Sequence, residues 1–81
     1  MTIESKSIIR ILLENDGAYP GDPQAYSIYE YLNTGNGRKM FAVFMGDYSD
    51  LDTSPYVGEY KLLWQVGSGL TKEGKKWLID N

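Results

Sequence analysis

The sequence of 81 residues contains no histidine and no cysteine. The first absence removes the commonest general base, the Ser-His and Cys-His nucleophile pairs, and the usual zinc ligands. The second removes disulfides and thiolate chemistry, and it points to a reducing compartment. No long apolar run exists either. The longest aliphatic stretch, Ile8 to Leu13, is interrupted by Arg10 and is far too short to span a bilayer. Met1 leads into Thr2, Ile3 and Glu4 without an apolar segment, so no signal peptide is expected and the expected location is cytoplasmic. No repeat, low-complexity tract or inter-domain linker is visible.

Positive charge is missing from two long stretches. Residues 11–37 carry Glu14, Asp16, Asp22 and Glu30, and residues 40–60 carry Asp47, Asp50, Asp52 and Glu59, all without a Lys or Arg. The net charge is −3 and the pI about 4.7. A nucleic-acid binder normally presents a basic face, so direct nucleic-acid binding is not expected.

What is present suits one small domain covering residues 1–81. The apolar fraction is 42% and the charged fraction 23%, close to the average for ordered chains. Net stability for this length is about 4–12 kcal/mol. Seven of the eleven aromatic residues are tyrosines. Tyrosines let a small core reach its own surface; the sharper reading is a tyrosine-rich binding face.

The hydrophobic periodicity predicts a helix near residues 4–15. Ile8, Ile9, Ile11, Leu12 and Leu13 fall on one arc. Thr2 or Ser5 is the candidate cap, and Asp16-Gly17 is a natural stop. Residues 16–25 read as a turn-rich connection. The stretch from Ala25 to Asn33 is ambiguous. Its aromatic and β-branched content favours a strand. Asp22-Pro23 instead resembles a helix N-cap followed by a first-turn proline. The strand is preferred, because Thr34-Gly35-Asn36-Gly37 and a strong strand over Arg38 to Met45 follow, which makes a hairpin. Positive φ is expected at Gly37, or else at Gly35. Residues 46–58 read as a loop, Glu59 to Val66 as a third strand and Gly67-Ser68-Gly69 as a break. A last helix is capped by Thr71 and turns Trp77 and Leu78 inward.

The expected fold is therefore α+β: a small single domain, α-β-β-β-α, with a three-stranded antiparallel sheet packed against two helices. Ile8, Leu12, Phe41, Val43, Leu63, Trp64 and Trp77 are the expected core. Either Leu62 or Leu63 points inward. The other face of the sheet is expected to be exposed and to bear tyrosines.

Three motifs invite chemistry. Asp47-Tyr48-Ser49-Asp50-Leu51-Asp52 is rich in oxygen ligands, but it lacks the alternation, central glycine and closing Glu of a calcium loop. It reads as a solvated loop, and no metal is expected. Val66-Gly67-Ser68-Gly69-Leu70-Thr71 opens a helix as phosphate-binding loops do. Without a further strand to close a βαβ unit it reads as a capped turn, and no cofactor is expected. Lys72, Lys75 and Lys76 form a basic cluster beside Glu73 and Asp80, as ordinary helix surfaces do.

The expected function is a small acidic protein-binding or inhibitor protein that acts by surface contact with a basic protein partner. Phage- and mobile-element-encoded inhibitors are the analogy in size and charge. The contact residues are Asp47, Tyr48, Asp50, Asp52, Tyr56, Glu59 and Tyr60, where carboxylates supply attraction and tyrosines rigid contact area. The alternative is a winged-helix-like, DNA-associated regulator built on a helical residue 22–33 segment. Its recognition helix would carry no cation to meet phosphate. A small carboxylate hydrolase ranks third, because 81 residues leave little room for a sugar cleft, and the chain is not expected to be an enzyme.

Overall fold

A computed structural model describes residues 2, 3, 5–33, 35, 37–45 and 60–81. Its elements run β1 (Thr2–Ile3), α1 (Lys6–Glu14), β2 (Ser27–Asn33), β3 (Arg38–Phe44), β4 (Tyr60–Gln65), β5 (Gly69–Leu70) and α2 (Lys72–Asp80). They form an α+β fold in which all strand pairs are antiparallel, in the order β1-β3-β2-β4-β5.

Helix α1 starts two residues later than its periodicity suggested. Ser5 is extended and its Oγ accepts from the Ile8 N–H, while Thr2 and Ile3 pair with Val43 and Ala42. The helix ends as expected. Asn15 donates from Nδ2 to the Ile11 carbonyl at 2.9 Å. Asp16 and Gly17 then take left-handed φ angles of 54° and 82°. The Gly17 N–H reaches back to the Leu12 carbonyl at 2.7 Å, which satisfies one of the helix's terminal acceptors.

Residues 27–33 form a strand, so the winged-helix arrangement is not the one this chain adopts. Strand β2 is central, bonded to β3 on one side and β4 on the other. Those two ladders outweigh the capping signal of Asp22-Pro23, which is spent in a turn where Asp22 N–H donates to the Tyr19 carbonyl at 2.8 Å. The hairpin to β3 is in register from Asn33↔Arg38 to Ser27↔Phe44, and Gly37 has φ 69°.

The expectation of three strands was too low. Two-residue strands β1 and β5 flank the three long ones. The expected break at residues 67–69 is instead a turn at Val66-Gly67-Ser68, after which Gly69 and Leu70 pair back onto Gln65 and Trp64. Elements of two residues carry no periodicity, so the sequence offered no pattern for them.

Both helices pack on one face of the sheet. Ile9, Leu12 and Leu13 of α1 and Trp77 of α2 meet Ile28, Phe41, Val43, Leu63 and Trp64, with Ile8 half-buried at the margin. The choice between Leu62 and Leu63 is decided by a bulge. Ile28 faces Trp64 while the next residue, Tyr29, faces Leu62, so Leu63 is the extra residue in β4. A bulge interrupts strict alternation. Leu63 and Trp64 thereby both enter the helix-side core, and Leu62 packs on the opposite face.

That opposite face is not the exposed tyrosine surface the sequence suggested. Tyr29, Tyr31, Ala42 and Phe44 are all buried there, with Tyr26, Met40 and Leu62 packed against them. Tyr29 meets Phe44 and Tyr60 edge to face, with ring centroids 5.6 and 5.5 Å apart. Burial on both faces explains why Met40-Phe41-Ala42-Val43-Phe44 is apolar without alternation.

Candidate functional site: a charged groove over Glu30

Six of the seven residues expected to make partner contacts, Asp47, Tyr48, Asp50, Asp52, Tyr56 and Glu59, lie outside the described residues. So does the acidic run considered for calcium. The seventh, Tyr60, opens β4 opposite Tyr31. It remains 48% exposed, the most exposed of the described tyrosines, and one edge of its ring rests on Tyr29. Among the described residues no group of three or more acidic side chains is arranged to hold a metal ion. No described helix is long and apolar enough to cross a membrane.

The Gly67-Ser68-Gly69 segment is a turn followed by a filled cap. The Thr71 hydroxyl accepts from the Gly74 N–H at 3.0 Å and points its own proton at the Leu62 and Leu63 carbonyls, 2.6 and 3.0 Å away. The Thr71 N–H also donates to the Leu63 carbonyl at 3.0 Å. The start of α2 is thus tied to the bulge by its own cap.

The feature that sequence reasoning missed is Glu30. Alternation along β2 places it on the helix-side face with Ile28, directly between Phe41 of β3 and Lys61 of β4. It is 8% exposed, yet its side chain makes no hydrogen bond or ion pair with any described residue. It lines a groove of about 280 Å³ whose other walls include Leu63 and Trp77.

The rim of the groove draws on four separate elements. Lys6 comes from the first turn of α1, Lys39 from β3, Lys61 from β4, and Glu73, Lys76 and Asp80 from one face of α2. The spacing of 73, 76 and 80 is the i, i+3, i+7 pattern that shares one helix stripe. Lys6, Lys39, Lys61 and Lys76 are exposed, and none forms an ion pair within 4.0 Å of a described carboxylate. Lys72 and Lys75 lie outside the groove, so the basic cluster read from the sequence is split by the helix.

Trp77 closes the inner wall. Its ring meets Phe41 edge to face at 5.5 Å and lies 5.9 Å beneath the Arg10 guanidinium. Its buried Nε1 has no acceptor among the described residues. The other tryptophan is satisfied: Trp64 Nε1 donates to Asp16 Oδ1 at 3.3 Å.

The one signal for Glu30 in the sequence was a lone acid inside Ser27-Ile28-Tyr29-Glu30-Tyr31-Leu32. An acid at an inward position of a strand is rare unless it has a task or a partner. The chain matches no protein-family model, no curated protein and no solved structure.

Proposed function

We propose that this chain is a small binding or inhibitor protein that docks its acidic surface on a basic protein partner. The observation that carries this reading is the distribution of charge. Residues 11–37 and 40–60 together hold eight of the eleven acids and none of the eight cations. Residues 40–60 alone carry four of these acids. Exposed Tyr60 borders that stretch and offers rigid contact area.

Separated charge of this kind steers a partner of opposite sign and raises its association rate. The test is affinity capture from the source cell, followed by association kinetics with the recovered protein at several salt concentrations. With Asp47, Asp50 and Asp52 changed to Asn, association is expected to slow at least about tenfold and its salt dependence to flatten. Unchanged rates in that variant, together with loss of binding when Lys72, Lys75 and Lys76 are replaced, would move the contact surface to α2 and refute the reading.

A further inference from the structure

We infer that the groove over Glu30 binds a small amino-dicarboxylate, a molecule with one inner ammonium group and two outer acid groups. The inference rests on the arrangement of charge inside the groove and stands apart from the acidic surface proposed above. On the floor is Glu30, a residue 8% exposed whose side chain makes no hydrogen bond or ion pair with a described residue. Around the rim are four lysines on α1, β3, β4 and α2, none of them paired with a described carboxylate, against two acids, Glu73 and Asp80, both on α2. The complementary ligand carries the inverse pattern, a cation at its centre and anions at its ends.

Simpler ligands fit less well. A plain anion drawn in by the lysines meets the Glu30 carboxylate beneath it. A polyamine that neutralises Glu30 meets four ammonium groups at the rim, which outnumber the carboxylates of Glu73 and Asp80 two to one. A metal ion needs several converging oxygens. Glu30, Glu73 and Asp80 do not converge in that way. An amino-dicarboxylate satisfies both signs at once. Its ammonium donates charge-assisted hydrogen bonds to Glu30, and its acid groups accept from lysines on facing elements. The groove, at about 280 Å³, suits a molecule of amino-acid size; it lies at the lower limit for drug-sized ligands. Walls from two helices and two strands also give a ligand several rigid supports.

The experiment is calorimetric titration and thermal denaturation of the full chain with L-glutamate and L-aspartate. Glutarate, which lacks the ammonium, and inorganic phosphate serve as comparisons. Saturable binding of at least one of the two amino acids is expected, with glutarate and phosphate weaker by roughly ten- to hundredfold, the equivalent of one charge-assisted hydrogen bond. A ligand that binds only the folded state also raises the melting temperature. Glu30→Gln should lose the discrimination between glutamate and glutarate, and Lys61→Gln with Lys76→Gln should weaken both. Glu14→Gln, on the exposed face of α1, should change neither. The comparison of ligands on the unaltered chain decides the matter even where a variant fails to fold. Equal binding of glutarate or phosphate would make this a plain anion site and overturn the inference. No saturable response to either amino acid at high millimolar concentration would overturn it too, leaving the groove to water.

Discussion

Replacing Gly74 with alanine sets two physical effects against each other. In an exposed helix interior the change is stabilising by about 1 kcal/mol, because glycine is the poorer helix former. Here the added methyl would run into the Leu63 carbonyl oxygen and sit 2.8 Å from Leu70 Cδ1. Neither neighbour is free to yield. The Leu63 carbonyl is held by the Thr71 N–H and hydroxyl and lies in the bulge, while Leu70 belongs to β5 and packs on the core. Overpacking of this kind costs about 1–3 kcal/mol. Displacing the carbonyl weakens two hydrogen bonds, at about 1 kcal/mol each. The steric and polar losses exceed the propensity gain, for a net destabilisation of about 2–3 kcal/mol. For a domain of this size that lowers the melting temperature by roughly 10–20 °C. The assay is thermal and urea denaturation followed by far-UV circular dichroism, with Lys72→Ala on the exposed side of the same turn as the control. The control should stay within about 0.5 kcal/mol of the parent chain. A Gly74→Ala protein as stable as the parent, or more stable, would refute the close docking of α2 on the β4 bulge.

Two further outcomes follow from the packing. Trp77 is 5% exposed although it lies near the end of the sequence, so Trp77→Ala should cost about 3–5 kcal/mol. A water-like emission spectrum from native Trp77, measured with Trp64 replaced by Phe, would contradict its burial. At Gly37 a Cβ meets no atom within 4 Å, but φ is 69°. Gly37→Val should therefore lose about 1–3 kcal/mol through backbone strain alone, and Gly37→Asn much less; equal denaturation midpoints for the two would argue against the left-handed turn.

Much of the fold was decided by local rules. The cap at Ser5, the stop at Asp16-Gly17, the hairpin glycine at position 37 and the Thr71 cap each depend on backbone geometry that a few adjacent residues determine. The apolar stripe of α1 and the inward Trp77 likewise follow from helical periodicity. The absence of histidine and cysteine excludes imidazole and thiolate chemistry by composition alone, whatever the fold.

Tertiary structure decided what depends on partners distant in sequence. Tyr29 and Tyr31 alternate with Ile28 and Glu30 as in a half-exposed strand, yet β2 is buried on both faces, and no local pattern records the burial of the second. Leu63 and Trp64 share one face because β4 carries an extra residue opposite β2, a matter of pairing between strands more than thirty residues apart. The same pairing sets Lys61 beside Glu30. Lys6, Lys39 and Lys76 join them only because β3 and both helices pack around that point. Composition counted these charges correctly, but a groove is a property of distances in space. Only the folded chain brings residues 6, 30, 39, 61 and 76 to one place.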